Sequence, residues 1–350
     1  MVEREDAQGE AVRDASDVLI VIPCLNEEAH LPGLLAQQVA DNPGARIVVA
    51  DGGSQDRSRE IALEWAQKHP CVHLLNNPAG LQSAGVNLAV RSLGKGASWI
   101  VRIDAHCSYP RQYVAGLLRA AVEHDATSVV VPMMTQGDEG FQSAVAAAQN
   151  SLLGNGGAPH RNLGRGRFVD HGHHALFDLS LFMKAGGYDE SFSHNEDAEL
   201  DYRLRGLGGR IWLEPSQAIV YYPRRSPGRL LRQYLGYGRG RAQNWRRHRM
   251  PMALRQAMPL AIAPVVVLGM LGAAMAALTP LCWVMALPMI GWAILCCLYG
   301  VALAWRQRRA SVLYAGVAAM IMHLGWSMGF LYELRPFVVR GMKPNATASR

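Results

Sequence analysis

The chain has 350 residues, half of them hydrophobic and 18% charged, which excludes an intrinsically disordered protein. The formal charge of +7 is unevenly divided: residues 1–214 carry 18 Lys and Arg against 27 Asp and Glu, whereas 215–350 carry 17 against one acid, Glu333. A mildly acidic front half joined to a basic, apolar back half is not one uniform globule. The six Cys form no CxxC pair, and Cys296 and Cys297 lie in an apolar run, so neither a disulfide framework nor a zinc ribbon is indicated.

Residues 1–16 are polar and charged, without the apolar core of a signal peptide, so the front domain is expected in the cytoplasm. The continuous apolar run 18–22 predicts a buried parallel strand that ends at Pro23. Asn26-Glu27-Glu28 is expected to open a helix reaching Val39. A second strand, 46–50, runs into Asp51-Gly52-Gly53, and Ser54 or Asp56 caps a helix ending at Lys68. Strand 72–75, helix 80–93, strand 99–103 ending at Asp104, helix 110–124 and strand 128–131 follow. This alternation implies a parallel sheet with helices on both faces, where ligands sit beyond the carboxyl ends of the strands. Pro23 to Glu27, Asp51 and Asp104 all fall at such ends. The first turn, Pro23-Cys24-Leu25-Asn26-Glu27, lacks the glycines of a Rossmann or P-loop site and the Gly/Arg-rich turn of a nucleotidylyltransferase.

The back half reads as membrane sequence. No Asp, Glu, Lys, Arg or His occurs from Ala257 to Trp305, enough for two crossings of about 20 residues each with a turn at Thr279-Pro280. After Arg306-Gln307-Arg308-Arg309, residues 310–332 are apolar except for His323, a third candidate crossing. The 306–309 loop fits an even number of crossings before it; Arg335, Arg340 and Lys343 do not fit a third. Either the charge rule is broken there or one segment lies along the membrane. Ten Arg in 223–255, with no Lys or acid, adjoin this region, so anionic lipid or phosphate is the expected partner rather than nucleic acid.

Four segments, VIPCLNEE, VVADGGSQDRS, VRIDAHCSYP and HNEDAELDYRLRGLGGRIW, occur in an order and spacing that resembles family 2 glycosyltransferases of the GT-A fold. SLLGNGGAPHR, VYYP and RQYLGYGRGR are similar to the ExoA-like branch, which builds exopolysaccharide repeat units on a lipid carrier. The resemblance covers residues 17–245. It implies an α/β GT-A domain over 17–222 behind a polar tail, 1–16. An Arg-rich juxtamembrane segment (223–256), two or three membrane helices (257–334) and a tail (335–350) would follow. It also implies an inverting hexosyltransferase of the bacterial inner membrane, multi-pass, with a cytoplasmic catalytic domain. The donor would be a UDP-sugar, UDP-glucose first, and the acceptor a lipid-linked saccharide, with other polysaccharide-assembly enzymes as partners. A polyprenyl-phosphate sugar synthase of the same fold is the alternative activity, and a non-enzymatic scaffold the third.

By the same resemblance Pro23, Asn26, Glu27, Asp51, Gly52, Gln82, Arg102, Asp104, Gln233, Arg239 and Arg241 bind the nucleotide sugar. Asp104-Ala105-His106 stands where the family has Asp-x-Asp. Side chains at i and i+2 of an extended segment point the same way and can reach one ion, Mg²⁺ or Mn²⁺. Asp104 is the first choice of ligand; His106 ligates, bonds a phosphate, or does neither. Asp197 is the family's base and Glu196 the neighbour that orients it. Glu199, Asp201 and Arg203 are read as surface or helix pairs. His171-Gly172-His173-His174 is read as site-lining or as satisfied polar histidines rather than as a zinc site. The basic loop 154–167, with Arg161, Arg165 and Arg167, is a candidate to close over phosphates. The pattern Gln-x-x-Arg-Trp of processive enzymes is absent, so one sugar is expected per acceptor.

Overall fold

The computed structural model describes residues 15–156, 164–249, 252 and 254–335. Arg161, Arg340 and Lys343 lie outside them, as does most of each terminal tail.

The chain alternates as read: β1 (Val18–Cys24), α1 (Leu31–Asp41), β2 (Arg46–Asp51), α2 (Ser58–Lys68), β3 (Val72–Asn76), α3 (Gln82–Leu93) and β4 (Trp99–Arg102). Then come β5 (Cys107–Ser108), α4 (Tyr113–Glu123), β6 (Ser128–Val131), β7 (Met133–Thr135), α5 (Gly140–Gln149) and α6 (Leu152–Asn155). The domain is completed by β8 (Arg167–Phe168), β9 (His173–Asp178), α7 (Leu179–Lys184), α8 (Glu196–Gly206), β10 (Ile211–Leu213) and β11 (Ile219–Tyr221). Eight strands form one sheet in the order β3-β2-β1-β4-β9-β6-β10-β8, and β5-β11-β7 form a small second sheet.

Period-two alternation buries both faces of the large sheet. Ile20 and Ile22 of β1 pack with Leu31, Leu35 and Leu117 on one side. Leu19 and Val21 pack with Val86, Phe177 and Phe182 on the other. The sheet is not wholly parallel, because β9 runs antiparallel to both β4 and β6. Its first residue therefore lies at the edge where β1, β2 and β4 end.

Three local readings are corrected. Pro23 does not end β1: it stays in register with Ala50, and Cys24 with Asp51. Proline lacks only an N–H, so its carbonyl side still fits a ladder. Asn26-Glu27-Glu28 do not open α1, which starts at Leu31. Asn26 is left-handed, with φ +57°, and the backbone N–H groups of Asn26, Glu27 and Glu28 donate to Ser54, Ser58 and Asp56 instead. Glu199 and Asp201 are buried rather than on the surface, although Glu199 does pair with Arg203 one turn along α8.

Behind the catalytic domain come α9 (Pro227–His248), α10 (Leu254–Ala257), α11 (Ile262–Met275), α12 (Leu287–Gln307) and α13 (Ala315–Leu334). Among the described residues three helical stretches are long and apolar enough to cross a membrane: Leu254–Met275, Pro280–Gln307 and Ala310–Leu334. They differ in environment. The protein covers 17% and 11% of the first two spans but 50% of the third. The third packs lengthwise on α9, and glycines make this possible. A Cβ on Gly238 of α9 would lie 2.2 Å from the Trp326 carbonyl oxygen, and one on Gly329 of α13 would lie 2.1 Å from that of Leu235.

Candidate active site

The end of β1 and the loop after β2 are zipped together. Besides the three N–H bonds above, Gln55 N–H donates to Asn26 Oδ1 at 2.8 Å, and Gly52 N–H to the Cys24 carbonyl at 2.8 Å. Gly52 lies against Gly80, where a Cβ would come 3.3 Å from its Cα. Asp51 is buried beneath this zipped turn, its Oδ1 accepting from Ser54 N–H at 3.1 Å and its Oδ2 3.4 Å from Arg59. Glu27, on the zipped turn, reaches His106 Nδ1 at 3.0 Å. That hydrogen bond favours the imidazolium and raises the His106 pKa, against burial.

A second cluster centres on Arg102, whose side chain is 3% exposed at the end of β4. Its Nη1 donates to Asp197 Oδ1 at 2.6 Å and to the Tyr188 hydroxyl at 3.1 Å, and its Nε lies 3.5 Å from Asp104 Oδ1. Tyr188 donates to the same Asp197 oxygen at 2.9 Å. Gln82 Nε2 donates to Asp104 Oδ1 at 3.1 Å, and His173 Nε2 lies 3.5 Å from Asp104 Oδ2. Tyr109 clamps the Asp104 backbone, accepting from its N–H at 2.7 Å and donating to its carbonyl at 3.0 Å. One guanidinium thus joins two carboxylates 93 positions apart in the chain.

Burial alone would raise the Asp104 pKa, but Arg102, then His173 and His106, outweigh it and hold the carboxyl below its usual value. Burial keeps Tyr188 a neutral phenol. Glu196 goes the other way: burial, reinforced by the Asp197 charge, pushes it up to about 7. Both acids sit in the first turn of α8, where the helix dipole favours negative charge.

The turn that leads into α8 is held from behind by α9. Asn195 adopts φ +61° and donates through Nδ2 to the Tyr237 carbonyl at 2.8 Å; Asn244 Nδ2 donates to the Asn195 carbonyl at 3.1 Å. A Cβ on Gly240 would stand 2.2 Å from the His194 carbonyl oxygen, so the glycine lets α9 pass at backbone contact.

Of the residues expected to bind nucleotide sugar, Gln82, Arg102 and Asp104 fall into the Arg102 cluster. Glu27 approaches it through His106, and Pro23, Asn26, Asp51 and Gly52 form the adjoining zipped turn. Gln233 donates to the hydroxyls of Tyr221 and Tyr237, both at 3.0 Å, and Tyr221 meets His106 edge-on. Arg239 and Arg241 turn toward the membrane helices: Arg239 pairs with Glu333 at 3.4 Å and Arg241 donates to Gln256 at 2.9 Å. Three contributors escaped the sequence reading: Tyr188, Tyr109, and Arg224, which bears electrostatically on both His106 and His194. His173 stands among the histidines read as site-lining. Gly186-Gly187, both at positive φ before Tyr188, was a usable signal for a tight turn into a site. Among the described residues no three His, Cys, Asp or Glu side chains form a ready-made metal cage.

Residues 19–186 match the model of glycosyl transferase family 2. Succinoglycan biosynthesis protein ExoA of Rhizobium meliloti (strain 1021) is 50% identical over 321 residues, covering 91% of this chain and 95% of that one. The chain belongs to glycosyl transferase family 2. A polyprenol monophosphomannose synthase of Mycolicibacterium smegmatis is 33% identical over 124 residues, which cover 34% of this chain and 47% of that one. A mannosyltransferase from Pyrobaculum calidifontis, solved with GDP-Man and Mn²⁺, superposes with a TM-score of 0.52 at 18% identity, covering 88% of this chain and 87% of that one. The chain has the GT-A-like fold of such enzymes and is a glycosyltransferase.

Because Arg102 compensates two nearly buried carboxylates, removing it is expected to cost stability as well as activity. Arg102→Ala should destabilise the protein by about 3–5 kcal/mol, the usual cost of leaving a buried charge unpaired. Arg102→Lys, which keeps the charge but not the fork, should lose less. Equilibrium unfolding in detergent, followed by Trp fluorescence, measures both; equal stability of Arg102→Ala and wild type would contradict the assignment.

Proposed function

We propose that the chain is an inverting hexosyltransferase that moves a sugar from a UDP-sugar, UDP-glucose first, to a polyprenyl-diphosphate-linked saccharide in exopolysaccharide assembly. The observation that carries the reading is Arg102, which hydrogen-bonds Asp197 and stands 3.5 Å from Asp104, bringing the two carboxylates to one guanidinium. The 50% identity to the succinoglycan biosynthesis protein, over nearly all of both chains, supports the pathway class. In the reaction the acceptor hydroxyl attacks the anomeric carbon, the bond to the diphosphate breaks, and UDP leaves with the bonding pair. The hydroxyl proton passes to Asp197, whose orientation is set by Arg102 and Tyr188. The nucleoside binds at the zipped turn over Asp51.

Asp104, with His106 turned by Glu27, would hold a divalent ion, Mg²⁺ or Mn²⁺; a carboxylate kept anionic beside an oriented imidazole fits such an ion. The ion would neutralise charge on the leaving diphosphate. The Mn²⁺ of the Pyrobaculum structure is consistent with this. A panel of UDP-sugars, with and without lipid-linked acceptor and with EDTA followed by Mn²⁺, tests donor, acceptor and metal together. Full turnover in excess EDTA would remove the metal.

A polyprenyl-phosphate sugar synthase is the second reading, supported by the partial match to the polyprenol monophosphomannose synthase. Its acceptor is already an anion and needs no base, so the two readings part at Glu196 and Asp197. Asp197→Asn should lower turnover on the saccharide acceptor by about 10²- to 10⁴-fold with donor affinity retained. Glu196→Gln should cost less. As pH rises through about 7, Glu196 becomes anionic, so wild-type turnover should climb between about pH 6 and 8 and flatten in Glu196→Gln. Near-normal turnover in Asp197→Asn would favour the phosphate acceptor.

We also propose that the protein sits in a bacterial inner membrane with two crossings, the catalytic domain cytoplasmic and the third apolar segment lying along the interface. The loop after α12 returns to the catalytic domain: Arg309 Nη2 donates to the Asp138 carbonyl at 3.2 Å and Ser143 Oγ to Ser311 Oγ at 2.7 Å. The far end of α13 is also tied to α9, through Glu333 with Arg239 and Arg246. A helix with both ends on one domain, one face buried and Val317, Met328, Leu331 and Tyr332 exposed, has the character of an interfacial helix. This reconciles Arg335 with the positive-inside rule. In inside-out vesicles, protease should remove tags from both termini; protection of the C-terminal tag alone would show a third crossing.

A further inference from the structure

The two oxygens of Asp104 have different surroundings. Oδ1 accepts from Gln82 at 3.1 Å and faces Arg102 Nε at 3.5 Å. Oδ2 faces His173 Nε2 at 3.5 Å, with the two side chains only 13% and 15% exposed. A cation approaching Asp104 meets a guanidinium on the first side and an imidazole nitrogen on the second. Oδ2 is the side where a metal ion meets an imidazole, which can release its proton and become a donor, rather than a guanidinium, which stays charged.

Residue 173 reaches this place because of the one central strand that runs against the others. β9 is antiparallel between β4 and β6, with His173 opposite Val131, so its first residue stands at the active edge of the sheet. The entry to the strand is pinned. Gly172 N–H donates to Asp201 Oδ2 at 3.4 Å, and a Cβ at Gly172 would lie 2.5 Å from Val130 Cγ2, so only glycine lets the chain pass there. Asp201 lies on α8, the helix that carries Asp197, so His173 and the catalytic helix are registered to each other.

Resting on the proposed metal-assisted transfer, we infer that His173, through Nε2, is a protein ligand of the catalytic cation together with Asp104 Oδ2, and that it biases the site toward Mn²⁺ over Mg²⁺. Cis ligands of an octahedral ion with bonds of about 2.1 Å stand about 3 Å apart, so this pair closes on an ion with a shift of about half an ångström. Imidazole suits transition-metal ions, whereas Mg²⁺ takes oxygen ligands. His106 is approached differently, its Nδ1 being held by Glu27, and the diphosphate oxygens of the donor would supply further ligands.

The test is Mn²⁺ binding to the full chain in detergent with UDP present, read by electron paramagnetic resonance: free Mn²⁺ gives affinity, and nitrogen hyperfine coupling reports a directly bound imidazole. Wild type should bind one Mn²⁺ and Asp104→Ala none. His173→Ala should weaken Mn²⁺ at least about tenfold, with less effect on Mg²⁺. His106→Ala should keep a bound-nitrogen signal, which His106→Ala/His173→Ala loses. His173→Gln retains an N–H donor for Asp104, so full recovery of Mn²⁺ affinity in it would show a positioning hydrogen bond and overturn the proposal. So would unchanged affinity and coupling in His173→Ala. Failure of wild type to bind Mn²⁺ with UDP would remove the metal reading itself, and this proposal with it. Unfolding midpoints of each variant separate loss of a ligand from loss of the fold.

Discussion

The buried guanidinium of Arg102 stands between Asp104 and Asp197, and the rest of the site depends on it. Desolvating a guanidinium is costly, and so is desolvating either carboxylate; together, with Tyr188 and Gln82 satisfying further positions, the charges offset one another. The pairing draws the end of β4, the turn at Tyr188 and the first turn of α8 to one point. It also leaves the acids unequal. Asp104 is held anionic, whereas Glu196, buried beside Asp197, is pushed up to about 7.

The second constraint is the glycine seam of α9. Gly240 lets that helix touch the backbone at His194, and Gly238 lets it touch α13 at Trp326. One helix is therefore in backbone contact with the turn before α8 on one side and the apolar helix α13 on the other. Asn195 and Asn244 add hydrogen bonds across the first contact. This geometry connects membrane attachment to the placement of Glu196 and Asp197 through packing alone. It also accounts for Arg239 and Arg241, which secure the helix to Glu333 and Gln256.

Much of this was legible in the sequence because local chemistry and fold agreed. The apolar runs at β1 and β2, the acids at strand ends and the uncharged stretch after Ala257 each carry a period or composition of their own. The errors have physical reasons. Asn26-Glu27-Glu28 has the composition of a helix start, but long-range bonds to Ser54, Asp56 and Ser58 win over local propensity. Glu199 and Asp201 look like surface acids on a polar helix, yet both are buried with long-range partners, His248 beside Arg203 for Glu199 and Gly172 N–H for one oxygen of Asp201. His173 was visible only as a cluster of histidines; its place beside Asp104 requires an antiparallel strand that short-range patterns do not reveal. Arg239 and Arg241 were read with the diphosphate because a basic stretch does not show which Arg faces which way.

The central claim is that Arg102 and Asp197 act as one unit. A double-mutant cycle on turnover, using Arg102→Met and Asp197→Asn at saturating donor, tests it most directly. Groups in direct contact couple by about 0.5–3 kcal/mol, so the double variant should be little worse than the poorer single one. Multiplication of the two single losses, with no coupling, would contradict the account.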